Sequence, residues 1–143
     1  MSSRRKGREF ALQLLFQRDF NKCPPEELLE AFWQGNATDP SNREFAELLF
    51  RTVCENLERI DELIGRHTQH WRLERMAAVD RNVLRIAVGE FLFTGTPPVV
   101  VIDEAIEIAR RFSTEDSSQF VNGVLDAVRE DLAACLQKEG QDG

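Results

Sequence analysis

Ala77-Ala78-Val79-Asp80-Arg81-Asn82-Val83-Leu84-Arg85-Ile86-Ala87-Val88-Gly89-Glu90-Phe91-Leu92-Phe93 is the strongest helical segment of the chain. Its apolar residues Val79, Val83, Ile86 and Ala87, then Leu84 and Val88, then Phe91, recur at helical spacing and cover most of the circumference. A helix that is apolar nearly all round is buried, so this one is central and other helices surround it. Gly95-Thr96-Pro97-Pro98 ends it. Beyond that break, Val99 to Ile102 is the one strand-like run. Glu104, Ala105, Ile108, Ala109 and Phe112 continue it with a helical period, so it reads as a helix entry.

Toward the C-terminus, a last helix is expected from near Asp116, where Asp116-Ser117-Ser118-Gln119 offers a capping box. Val121, Val124, Leu125, Val128, Leu132 and Leu136 carry it to about Gln137, leaving a polar tail over 138–143. Toward the N-terminus, Pro24 and Pro25 with Glu26 and Glu27 mark a helix start, and Gly35 a stop. Ser41-Asn42-Arg43-Glu44 is a second capping box, opening a long helix through Phe45, Leu48, Leu49, Thr52, Val53, Asn56 and Ile60. Leu57, Ile60, Leu63 and Ile64 then follow a rotated face, which predicts a bend or a short extra helix ending near Gly65. The expected fold is all-α, with six or seven helices arranged as two packed three-helix subdomains, about 1–68 and 72–137, separated by a polar joint near 66–75.

The 143 residues, 42% of them hydrophobic with two Trp and ten Phe, can fill one sizeable core. No apolar run approaches the roughly 20 residues of a membrane span, and a cytoplasmic location is expected. Cys23, Cys54 and Cys135 are odd in number and widely spaced, which argues against a disulfide framework or a metal knuckle.

Charge is distributed unevenly. Arg4, Arg5, Lys6 and Arg8 place four positive charges at the start of a chain whose formal net charge is -7. A short basic arm on an acidic body reads as a nucleic-acid contact, the alternative being a solvated tail. Phe10, Ala11, Leu14 and Leu15 follow at helical spacing, so the arm forms the first turns of a helix. The stripe of Leu15 and Ala11 extends backwards onto Arg8 and Arg4. Since unpaired arginines do not sit under a core, the helix is expected to overhang the body and present Arg4, Arg5 and Arg8 as a rigid comb for phosphate oxygens.

Arg4-Arg5-Lys6-Gly7-Arg8-Glu9 with Ala11-Leu12-Gln13-Leu14-Leu15, Val83 to Glu90, Pro98 to Ala109 with Ile102-Asp103-Glu104-Ala105, and Phe120-Val121-Asn122-Gly123-Val124-Leu125 occur in that order. Together they resemble the NusB family of bacterial transcription antitermination factors along essentially the whole chain. The resemblance implies a non-catalytic role. Such proteins bind single-stranded boxA RNA of ribosomal RNA leader transcripts jointly with NusE, a small-subunit ribosomal protein, and act with other antitermination factors to help RNA polymerase read through terminators.

Carried onto this chain, the family's RNA contacts fall on Arg4, Arg5, Lys6 and Arg8 and on the start of the last helix, Asp116 to Asn122. There Ser117, Ser118, Gln119 and Asn122 can hydrogen-bond base edges and Phe120 can stack on an unpaired base. Glu115 and Asp116 would compete with a phosphate for that helix's free N–H groups. The NusE surface points to Phe16, Asp80 and Arg81, with Phe16 as plain core the competing reading. Where the family commonly has an aromatic residue, an asparagine and a glycine, this chain has Gly89, Asp103 and Ser113. Gly89 is expected to remove a packing or partner contact from the central helix.

No cofactor is expected, and other chemistry has little support. His67 and His70 could share a helix face with Glu74 nearby, but zinc wants three or four ligands. Glu90 and Glu104 could pass for an acid/base pair, yet capping or pairing with Arg85 or Arg81 is the simpler reading. Two alternative functions stay open: a helical protein adaptor, and a stand-alone RNA-binding module like the N-terminal domain of ribosomal RNA cytosine methyltransferases. A homodimer also stays open, because Phe10, Phe16 and Phe20 fit a dimer seam as well as a core.

Overall fold

The computed structural model describes the backbone of residues 2–68 and 73–142 and the side chains of 4–68 and 73–135. Every element within them is helical: α1 (Ser2–Phe20), α2 (Pro25–Gly35), α3 (Pro40–Glu55), α4 (Leu57–Arg66), a 3-10 turn (Leu73–Arg75), α5 (Ala78–Phe93), α6 (Pro98–Phe112) and α7 (Glu115–Asp142). The strand-like run Val99 to Ile102 is the first part of α6, entered through Pro98 in its first turn.

Two helix starts differ from expectation. The cap of α3 is Asp39, whose carboxylate accepts the Asn42 backbone N–H at 2.9 Å, so Ser41 and Glu44 form no capping box. Pro40, with no N–H to satisfy, sits inside the first turn and moves the cap one residue upstream of it. Likewise α7 is capped by Thr114, whose Oγ1 accepts the Ser117 N–H at 3.0 Å; Asp116 already lies within the helix. At its other end α7 stays helical to Asp142, past the expected stop near Gln137.

The bend after α3 has a local cause. The Asn56 side chain donates to the Thr52 carbonyl at 2.8 Å, and its backbone N–H turns to Val53 at 3.2 Å, so the α-helical ladder is interrupted and α4 starts on a new axis. Gly95, at φ 72°, takes the left-handed conformation that turns the chain from α5 toward α6.

Nine consecutive residues of α5, Asn82 to Glu90, are buried, as its all-round apolar pattern requires. It packs against α1, α3, α4, α6 and α7. Around it, α1, α2 and α3 touch one another on one side, and α6 packs on α7 on the other. One continuous apolar core runs through both groups, from Leu14 and Phe50 to Val101 and Leu125. The joint residues 69–72, including His70 and Trp71, lie outside the described residues.

Two glycines show how close the helices come. A Cβ on Gly7 would stand 2.8 Å from Phe45 Cδ2 and 3.4 Å from the Asn42 carbonyl oxygen, so glycine lets α1 lie directly on α3. Gly89 is buried, and a Cβ there would make ordinary contacts with Thr52 and Val53 at 3.6 Å and Ile60 at 3.8 Å. It therefore faces α3 and α4 inside the protein, which corrects the expectation that it removes a partner contact.

Candidate nucleic-acid interface

Neighbouring side chains on a helix diverge by about 100°, and the N-terminal cations of α1 accordingly meet three different helices. Arg4 is exposed, with its guanidinium 4.2 Å from the centroid of the Phe45 ring on α3. It lines an open groove of about 600 Å³ together with Leu48, Phe93 and Val100. Arg5 turns to α6, where Nε donates to Glu104 at 2.9 Å while 43% of the side chain stays exposed. That hydrogen bond, followed by the carboxylate's charge, raises the Arg5 pKa. Lys6 is exposed and lies 5.2 Å from the Phe10 ring, itself packed edge-on against Phe32 and Trp33 of α2.

Arg8 corrects the expected comb. It is 3% exposed, and its fork grips Glu90 of α5 through Nε at 2.8 Å and Nη2 at 2.7 Å. Nη1 adds Glu104 at 3.8 Å. An arginine does sit under this core, because it is paired with a carboxylate 82 residues away in sequence. Such a group is structural and has no free edge for phosphate. The expected partners of the two glutamates are corrected too: Glu90 and Glu104 are held by Arg8 and Arg5.

At the start of α7, Asp116, Gln119 and Asn122 are exposed and Phe120 is half-buried against the core. Ser117 is engaged internally. Its hydroxyl lies 2.8 Å from that of Ser113 and donates to Asp80 Oδ2 at 3.2 Å. Ser118 is buried and donates to the Glu115 carbonyl at 2.7 Å. Only part of the 116–122 segment can therefore reach a ligand, chiefly Gln119 and Asn122 with the outer edge of Phe120.

Phe16 and Phe20 are 40% and 74% exposed, with ring centroids 5.0 Å apart. Phe16 is thus surface, whereas Phe10 is core. Arg81 is turned inward. It donates to Asp19 at 2.8 Å and to the carbonyls of Leu73 and Met76. Asp80 bonds Ser117 through one oxygen and buries the other. Arg85 grips Asp61 at 2.9 and 3.0 Å and also reaches Asn82 and Asp19. Burial pushes the Asp19 carboxyl up, but hydrogen bonds from Arg81 and Asn82 and the charges of Arg81 and Arg85 outweigh it and hold the group below its usual range.

His67 pairs with Asp131 of α7 at 3.0 Å, and no group of three or more His, Cys, Asp or Glu is arranged for a metal among the described residues. No helix among them is long and apolar enough to cross a membrane.

The two candidate RNA elements lie at opposite ends of α5. Arg8 meets Glu90 near its C-terminal end, and Ser117 meets Asp80 near its N-terminal end, about 15 Å away along the axis. Ion pairs join α1 to α6 along a seam, Arg5 with Glu104 and, invisible in the sequence, Glu9 with Arg111, 102 residues apart, at 3.1 Å. Nothing in local spacing announces such a contact. Asp19 was equally hidden, an unremarkable acid that gathers two arginines and an asparagine.

Comparison with known proteins places this geometry. A model of the NusB family matches residues 5–130. The transcription antitermination protein NusB of Solibacter usitatus (strain Ellin6076) is 51% identical over 134 residues, 92% of each chain. That of Koribacter versatilis (strain Ellin345) is 50% identical over 139 residues, 96% of this chain and 95% of its own. Among solved structures, T. maritima NusB superposes with a TM-score of 0.81 at 43% identity, covering 89% of this chain and 90% of that one. A chain from a crystal structure of the antitermination factors NusB and NusE in complex with dsRNA superposes with a TM-score of 0.82 at 28% identity, covering 92% and 98%. With half its residues shared with such relatives over nearly its full length and the same helical architecture, the chain belongs to the NusB family.

Proposed function

We propose that this chain is a transcription antitermination factor that binds the boxA element of ribosomal RNA leader transcripts together with NusE, so that RNA polymerase reads through terminators. It acts by binding and not by catalysis. The observation that carries the reading is that one helix, α1, exposes cations at its start and an uncovered aromatic pair, Phe16 and Phe20, at its end, giving a polyanion and a protein separate surfaces. NusB and NusE standing in one RNA complex in a structure of the same fold supports the pairing of partners. A chain of net charge -7 repels RNA at long range, so its affinity alone is modest and a second subunit adds the remainder. The RNA residues are Arg4, Arg5 and Lys6 with Asp116, Gln119, Phe120 and Asn122; the NusE face is Phe16 and Phe20. Arg81 supports that face from within through Asp19, while Asp80 is held to Ser117 of α7. The division into units of about 1–68 and 72–137 is part of the same proposal.

Fluorescence titration of labelled boxA RNA against a scrambled strand, with and without NusE, tests this. Preference for boxA that sharpens with NusE is expected. Equal binding of both strands in both conditions returns the chain to the adaptor class.

A further inference from the structure

Arg111 lies in the last turn of α6, three residues before the Thr114 cap of α7, and 54% of its side chain is exposed. Beneath it lies Glu9 of α1, whose side chain is only 10% exposed. Both Glu9 oxygens take the same nitrogen, Nη1, at 3.1 Å. The guanidinium is thereby tethered at one corner, and no other carboxylate among the described residues lies within ion-pair range of it. The exposed Phe112 ring, 5.6 Å from the guanidinium carbon, supports it from the side. The preceding residue makes a useful contrast. Arg110 is bound to both Glu107 and Glu115 and is neutralised on the surface.

Position adds to chemistry. Arg5 is held at Glu104, and Arg111 stands two helical turns further along α6, about 10 Å away. Arg5 and Arg111 thus stand along the same α1/α6 seam, and α7, which carries the exposed Gln119 and Asn122, begins just beyond it at Glu115. Regularly repeated negative charge along a line is the signature of a phosphodiester strand. A guanidinium fixed by a buried carboxylate, with Nε and Nη2 unclaimed by any acid, loses little freedom when a phosphate oxygen arrives.

Resting on the proposed RNA reading, we infer that Arg111 is a phosphate contact linking the arginine-bearing start of α1 to the start of α7, and that Glu9 is its positioning residue. The buried Arg8, which the seam covers, is replaced in that role by a residue from the other end of the chain.

The test is titration of labelled single-stranded boxA RNA across a salt series with the full chain. R111A is expected to bind about tenfold more weakly and to flatten the log-log salt slope by about 1. R111K keeps the slope and most of the affinity, and R110A changes neither. If R111A does not fold, R111Q, which retains an N–H donor for Glu9 but no charge, carries the same expectation. A purely structural Arg111 would shift the thermal melt and leave the slope of the folded fraction at the wild-type value, which overturns the inference. So would equal losses in R110A and R111A. Absence of RNA binding by the unaltered chain would instead overturn the RNA reading itself.

Discussion

At its N-terminal end α1 buries a guanidinium, and at its C-terminal end it exposes two benzyl rings: Arg8 is 3% exposed, Phe20 74%. The inversion follows from what each end meets. Arg8 faces Glu90, and a fully hydrogen-bonded fork offsets the cost of removing both charges from water. Phe16 and Phe20 stay exposed against each other at the surface, and the acid between them, Asp19, is drawn inward by Arg81, Asn82 and Arg85. Polar groups brace the helix at both ends, so its outer face is left for ligands. Polarity alone does not place a residue; the partner across the seam does.

Removing one member of the buried pair breaks the contrast most severely. Glu90→Ala leaves Arg8 charged in the core with only Glu104 at 3.8 Å in reach, and is expected to cost about 3 kcal/mol in denaturant unfolding. An Arg8→Met, Glu90→Leu double variant should recover most of that loss. If it does so while keeping RNA affinity, Arg8 is confirmed as a brace with no part in the ligand surface.

At the aromatic end the expectation reverses. Phe16→Ala with Phe20→Ala should leave the melting temperature nearly unchanged and weaken NusE binding by about 2 kcal/mol, read by calorimetric titration. A large drop in stability would mean that these rings are covered in the free chain.

Replacing Gly89 by Ala sharpens the comparison from the centre of the molecule. The methyl has room against Thr52, Val53 and Ile60, and helix propensity favours it, so stability should rise by about 0.5–1 kcal/mol. The same change at Gly7, against Phe45 at 2.8 Å, should destabilise.

The smallest effect is a pH dependence at the Asp19 end. Hydrogen bonds and charges hold its folded pKa below the ordinary carboxylate value of 3.8, so its stabilising contribution is complete above that value and is lost as pH falls through the lower folded pKa. Acid unfolding of Asp19→Asn should therefore be shallower than wild type below about pH 4.

Much of the architecture could be read from residue order. The all-round apolar pattern of Val79 to Phe91 marks α5 as central, and the structure buries Asn82 to Glu90 without a gap. Helix starts were less legible at Ser41 and Asp116, because Asp39 and Thr114 offer equally good caps and the flanking proline or hydroxyl chooses between them. In the candidate site, the exposed Arg4 and Lys6 are read from local charge, and Gln119 and Asn122 from the family resemblance. Arg8 was misplaced and Arg111 was invisible, since each depends on a glutamate in a distant helix.

Helix count, the central position of α5 and the basic start of α1 are properties of short stretches, because helical periodicity and local charge act over a few residues. Which arginine is a brace and which is open to a ligand emerged only when the helices packed. Carboxylates 82 and 102 residues away choose those roles, and no local force can bring them near.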